Sequence, residues 1–176
     1  MLDLIIKNGQ CYIDGELKEA DVAIQDGKIY KIGQISEEAK ETINAEGQTV
    51  LPGCIDTQTH FREPGSTDTE DLHSGSRAAI AGGITSVFEM PNTNPPTSTK
   101  VEFQKKLDLA KNRMYCNYAF YFGATADNAN ELADLVNLEG CCGIKLFAGS
   151  STGNLLVAEE EDIEKVFQSS SKVVAV

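Results

Sequence analysis

The sequence predicts an α/β fold in which a parallel strand–helix repeat follows a small β layer. Three observations carry this. From Val50 onward, apolar strand-like runs alternate with segments of helical period. Those strand runs are near-continuously apolar, as strands covered on both faces are. The first fifty residues instead hold short strands punctuated by Asp-Gly pairs.

Asp14-Gly15 and Asp26-Gly27 are hairpin signals, because both central residues of a type I′ turn need positive φ. Val22 and Ile24 precede the second turn, and Ile29 and Ile32 follow it. The repeat then begins with a strand over about Val50 to His60. A helix is expected from Thr67, with Glu70 at capping-box spacing, to a stop at Gly82-Gly83. Strand two covers about Ile84 to Met90. The next helix starts near Thr99, with Glu102 three residues on and an apolar face of Phe103, Leu107, Ala110 and Met114. Strand three is Asn117 to Gly123, and a third helix runs from about Asp127 to Leu138 before Gly140. Strand four is Cys142 to Phe147, a fourth helix starts near Ala158, and Lys172 to Val176 reads as a fifth strand.

Composition narrows the function classes. The chain has 176 residues, 41% hydrophobic and 24% charged, enough to bury a core and ordinary for a soluble globular protein. A net charge of -12 argues against nucleic acid and anionic membranes as partners. No apolar run has the length of a membrane span. The first ten residues lack the basic region and cleavage site of a signal peptide. Five cysteines (Cys11, Cys54, Cys116, Cys141, Cys142) are an odd number without a Cys-x-x-Cys pair. They read as small buried thiols in a reducing cytoplasm, not as a disulfide framework or zinc ribbon.

The chemistry-bearing residues gather after the strands. Strand alternation places Asp56, Gln58 and His60 on one face at the C-terminal end of strand one, where parallel barrels carry their sites. His60 there is either a metal ligand or a histidine satisfied by hydrogen bonds. Arg62 follows in the loop, and a guanidinium can grip a carboxylate with two parallel hydrogen bonds. Taken alone, Arg62 also reads as a solvated loop charge and Asn92 as a turn residue before Pro95-Pro96. Lys145 lies inside the apolar run Gly143-Ile144-Lys145-Leu146-Phe147, where burial lowers an amine's pKa unless its ammonium reaches water. His73 has no partner at metal-ligand spacing and reads as a surface or helix-packing residue. Gly149-Ser150-Ser151-Thr152-Gly153 lacks the lysine-serine/threonine pair of a phosphate loop.

His60-Phe61-Arg62-Glu63-Pro64-Gly65, Ala81-Gly82-Gly83-Ile84-Thr85, Met90-Pro91-Asn92-Thr93 and the Lys145 strand together closely resemble dihydroorotases, in the cyclic amidohydrolase branch of the amidohydrolase superfamily. The resemblance implies an amidohydrolase-type TIM barrel, here its N-terminal portion of about five β/α units over residues 51–176. Residues 1–50 would then be part of the family's β-sandwich. It implies divalent metal, usually zinc, that activates water against a cyclic amide, the interconversion of dihydroorotate and carbamoyl aspartate in pyrimidine synthesis. His60 matches the second histidine of the family's metal-binding pair, and Gln58 stands where the first belongs. Lys145 matches the lysine that several members carboxylate into a metal bridge. Arg62 and Asn92 match the pair that holds the substrate carboxylate.

The same resemblance predicts an incomplete centre. A family site uses four histidines and a strand-eight aspartate, whereas this chain has two histidines in all and ends in what reads as strand five. No catalytic set is complete in it, zinc binding should be weak or partial, and the chain should be inactive alone. Two readings stay open: a truncated or fragmentary dihydroorotase-like hydrolase, or a degenerate pseudo-dihydroorotase serving as a non-catalytic interaction or scaffold subunit. About five strands of a barrel would leave strands one and five with unpaired edges, so self-association or pairing with a second chain is expected.

Overall fold

The computed structural model describes residues 1–151 and 153–176. They form two compact units, Met1–Pro52 and Gly53–Val176.

In the first unit, β1 (Leu2–Ile13), β2 (Glu16–Gln25) and β3 (Lys28–Gly33) form an antiparallel meander. β4 (Ala39–Asn44) and β5 (Thr49–Val50) both pair with β1 in parallel. The turns are those expected: Asp14 and Gly15 have φ of 52° and 87°, and Asp26 and Gly27 have 52° and 71°. Val22 sits opposite Ile32, and Ile24 opposite Ile29. The small core is Leu2, Ile5, Ala23 and Ile35, with Ala39 against it. Ile29, Tyr30 and Ile32, on the edge strand β3, remain exposed.

In the second unit, β6 (Cys54–Thr59), β7 (Ile84–Glu89), β8 (Asn117–Gly123), β9 (Cys141–Lys145) and β10 (Val174–Ala175) are neighbours in chain order. Every pairing among them is parallel, and the sheet curls into a half-barrel. The helices α1 (Leu72–Ala81), α2 (Lys100–Ala110) and α3 (Glu160–Ser169) and a 3₁₀ helix (Ala129–Asn137) connect them. The main core joins Val87, Phe120, Phe122 and Ile144 of the strands to Leu72, Phe103, Leu132 and Val166 of the connecting helices. Phe103 meets Phe120 edge-on with ring centroids 6.3 Å apart.

Several boundaries differ from the sequence reading for local reasons. The expected strand Val50–His60 is divided: Val50 ends β5, paired with β1, and β6 starts only at Cys54. The first helix starts at Leu72, not Thr67, because Ser66 O accepts from the N–H groups of Thr69 and Glu70 and holds that stretch in turns. Its capping box is Asp71 with Ser74: Asp71 Oδ1 accepts from Ser74 N at 2.6 Å, and Asp71 N donates to Ser74 Oγ at 3.2 Å. Thr99 does cap α2, accepting from Glu102 N, but that helix ends at Ala110, and Met114 joins the core from beyond it. The third connection is a tighter 3₁₀ turn, not an α-helix. Cys11, Cys116 and Cys141 are buried as expected, whereas Cys54 is exposed on the edge strand β6; all five cysteines are free thiols.

Candidate functional site

The site stands at the C-terminal ends of the parallel strands. His60 directly follows β6, Asn92 lies three residues past β7, and Lys145 is the last residue of β9. The alternation expected along β6 is interrupted: Asp56 pairs with Val87 and Thr59 with Glu89, so three residue steps oppose two. Asp56 Oδ1 accepts the N–H of Gln58 at 3.0 Å inside this irregularity, and the Gln58 side chain is exposed.

His60 and Asn92 are brought into contact, with Nδ1 2.9 Å from Asn92 Oδ1. With the amide oxygen accepting, Nδ1 is the donor of this bond. Arg62 and Asn92 line one cavity of about 390 Å³ with Pro64, Ser66, Thr93, Asn94, Pro96 and Gly153. The loop carrying Asn92 is held at both ends. Lys106 Nζ donates to Met90 O at 3.1 Å, Gly123 N donates to Thr97 O, and the buried Asn128 amide donates to Ser98 O and Gly123 O. Asn94 N donates to Pro64 O and so joins this loop to the one bearing Arg62.

Lys145 is buried, and desolvation pushes its amine below the ordinary lysine range. Its Nζ lies 5.0 Å from the centre of the Phe147 ring and has no carboxylate partner among the described residues. No hydrogen bond joins Lys145 to His60, Arg62 or Asn92 among the described residues. His73 is half-buried on α1 and packs edge-on against Tyr115, ring centroids 5.2 Å apart, a packing role. Thr152, within the glycine-flanked loop after β9, lies outside the described residues.

Two ion pairs lie beside the site, one partly and one fully buried, and the sequence hinted at only one partner of each. Glu63 lies inside the Arg62-Glu63-Pro64 run, and Arg113 grips it with both terminal nitrogens, at 2.8 and 3.1 Å. Glu89 and Lys106 form a second pair, both fully buried. Burial pushes the Glu89 carboxyl up to about 8 against the opposing pull of Lys106 and Arg62, and it pushes Lys106 down. The signal for Lys106 was its position, since residues 103, 106 and 110 fall on one helical face.

With this geometry in view, the comparisons with known proteins become specific. The amidohydrolase family model matches residues 49–174. The chain belongs to the amidohydrolase family. It is 39% identical to a dihydroorotase of Methanosarcina mazei over 92% of its own length and 36% of that protein's. It is 40% identical to an allantoinase of Salmonella choleraesuis, over 84% of this chain and 33% of the relative. The L-hydantoinase (dihydropyrimidinase) from Arthrobacter aurescens superposes with a TM-score of 0.86 at 31% identity, covering 96% of this chain and 38% of that one. The half-barrel is therefore the amidohydrolase TIM-barrel arrangement, and the dihydroorotase resemblance holds at sequence level. The chain spans about a third of the length of the curated relatives it matches.

The family is generally metal-dependent, so the donor set can be tested against a metal. Among the described residues, no three His, Cys, Asp or Glu side chains come together as a metal site. Gln58 offers a neutral amide, His60 one ring nitrogen, and Lys145 an amine that is no anion until modified. These residues alone do not fit a binuclear centre. Gln58→His is accordingly expected to raise zinc affinity without filling a two-metal site, by restoring one imidazole. Elemental analysis after dialysis checks this, and two tightly held metals per chain in the unmodified protein would contradict it.

Proposed function

We propose that this chain contributes to a dihydroorotase-like hydrolase acting on a cyclic amide that bears a carboxylate. The observation that carries the reading is the cavity shared by Arg62 and Asn92, directly beside His60. A guanidinium and an amide N–H₂ facing one space form a cradle for a planar carboxylate, and a neutral cyclic amide would leave that charge unanswered. Asn92 suits a double part: its oxygen orients His60, and its Nδ2 remains available as a donor. Dihydroorotate and carbamoyl aspartate, in pyrimidine synthesis, have the required chemistry.

Zinc is the metal we propose for the complete catalytic unit. His60 Nε2 and a carboxylated Lys145 would be this chain's share, with Gln58 a weak substitute for an imidazole. The depressed basicity of Lys145 favours the neutral amine that takes up carbon dioxide. Because the donors here are too few, these 176 residues are proposed to be inactive alone. The setting proposed is cytoplasmic, and among the described residues no helix is long and apolar enough to cross a membrane.

Gln58 also favours a second reading, a pseudo-dihydroorotase that binds but does not turn over substrate and acts as a scaffold. The test for both is full-length protein given dihydroorotate. Turnover supports the hydrolase, whereas binding without turnover supports the scaffold. In either case Arg62→Met should weaken binding of the carboxylate ligand by about 10–100-fold, the loss expected for hydrogen bonds to a charged group. Unchanged binding in Arg62→Met would remove the basis of the proposal.

A further inference from the structure

The loop that presents Arg62 is anchored on both sides of that residue. Phe61 is buried against Gly75 of α1, where a Cβ would stand 2.5 Å from Phe61 Cδ1, so only glycine admits the ring. Glu63 is buried too, and its two oxygens are fully engaged. Oε1 accepts from Arg113 Nη1 at 2.8 Å, while Oε2 accepts from Arg113 Nη2 at 3.1 Å and from Leu72 N at 3.0 Å. Leu72 is the first residue of α1, so the carboxylate also meets the positive end of that helix. Arg113 itself is fixed by a further bond from Nη1 to Leu109 O at 3.0 Å, at the end of α2.

Arg62 lies between these two buried anchors, exposed and lining the cavity, and neither Glu63 nor Arg113 lines it. A fork-to-fork guanidinium–carboxylate pair fixes direction as well as distance. Held in that way, Glu63 sets the backbone of its neighbour. Ser66 N donates to Arg62 O at 2.9 Å, which closes the turn behind it.

We propose that the Glu63–Arg113 pair is the positioning device for Arg62, setting the affinity for the substrate carboxylate without touching the substrate. This rests on the reading of Arg62 as the carboxylate grip. The pair joins the start of α1 and the end of α2 to the site loop, so the guanidinium of Arg62 is pre-placed before a ligand arrives.

The test is calorimetric binding of dihydroorotate to full-length protein, with neutral dihydrouracil as the second probe. Arg113→Met should weaken dihydroorotate binding about tenfold, the loss expected when charge-assisted hydrogen bonds are misplaced, with dihydrouracil unaffected. In the double variant Arg62→Met/Arg113→Met, affinity should equal that of Arg62→Met alone, because Arg113 acts only through Arg62. If the two losses multiply, or if both probes weaken equally, Arg113 is merely structural and the proposal is overturned. If Arg62→Met itself leaves dihydroorotate binding unchanged, the carboxylate-grip reading is what fails. Should Arg113→Met not fold, Arg113→Lys and Glu63→Gln take its place. Each keeps part of the hydrogen bonding, and each is expected to show a smaller loss confined to the carboxylate ligand.

Discussion

Replacing Lys106 with methionine is expected to destabilise the protein by about 3–5 kcal/mol, the cost of removing one partner from a buried ion pair. Lys106 and Glu89 are both fully inaccessible, and the ammonium also meets Met90 O and the face of Phe120. Methionine fills much the same volume, so packing around Phe120 is largely kept. What is lost is the cation in direct contact with the Glu89 carboxylate, leaving only the more distant pull of Arg62 among the described residues. The sign of the pH dependence follows from burial. The Glu89 carboxyl already stands at about 8, above its ordinary 4.5, and without Lys106 it rises further. A group whose folded pKa is raised contributes stability below its unfolded pKa, and that contribution is lost as pH rises through the folded value. The variant should therefore be least impaired near pH 4.5 and increasingly unstable toward pH 8 and above. Urea midpoints at equal protein concentration measure it. Adding Glu89→Leu to Lys106→Met should recover much of the loss, since no unpaired charge then remains. A single variant as stable as the parent at pH 8 would contradict the role given to the pair.

The sequence carried the strand–helix order because parallel strands must be apolar on both faces and helices must show a stripe. Those patterns at Asn117–Gly123 and Lys100–Ala110 are unambiguous. It misplaced the start of α1 because two capping signals compete within five residues. Glu70 after Thr67 has the right spacing, but the Ser66 carbonyl takes the Thr69 and Glu70 amides first, leaving Asp71 and Ser74 to form the box. It read the stretch to Leu138 as an α-helix because a 3₁₀ helix and an α-helix share nearly the same apolar spacing over nine residues.

For the site, Arg62 and Asn92 could be singled out from their motifs, but not the cavity they share or the bond from Asn92 to His60. Those depend on how two loops from different strands meet, which periodicity does not encode. The ion pairs were hidden for a related reason. Glu63 and Arg113 are 50 residues apart in sequence, and only the packing of the α2 end against the α1 start brings them together.

The polypeptide Met1–Val176, produced by itself, is expected not to persist as a well-folded monomer. A closed barrel leaves no strand unpaired, whereas the parallel sheet here has β6 at one edge and β10 at the other. Ile55 on β6 is 58% exposed, and Val173 and Val176 flanking β10 are 75% and 68% exposed. Both edges therefore combine open backbone groups with apolar side chains, and neither carries a lysine or proline within the strand to deter pairing. In the first unit the edge strand β3 also exposes Ile29 at 65% and Tyr30 at 60%, but Lys28 and Lys31 within it blunt that edge. The core between strands and helices buries Phe103, Phe120 and Phe122 completely, which supports a compact state. What lacks a partner is the perimeter. The net charge of -12 opposes close approach of copies, but this repulsion is screened beyond about 8 Å at physiological salt and acts weakly between strands in contact. Raising salt should therefore promote association. Sedimentation velocity should show species larger than the monomer, increasing with salt, and at dilutions where monomer prevails amide exchange should show poor protection in β6 and β10 against strong protection in β8. A monodisperse monomer with both edge strands strongly protected would show that the half-barrel is sufficient by itself.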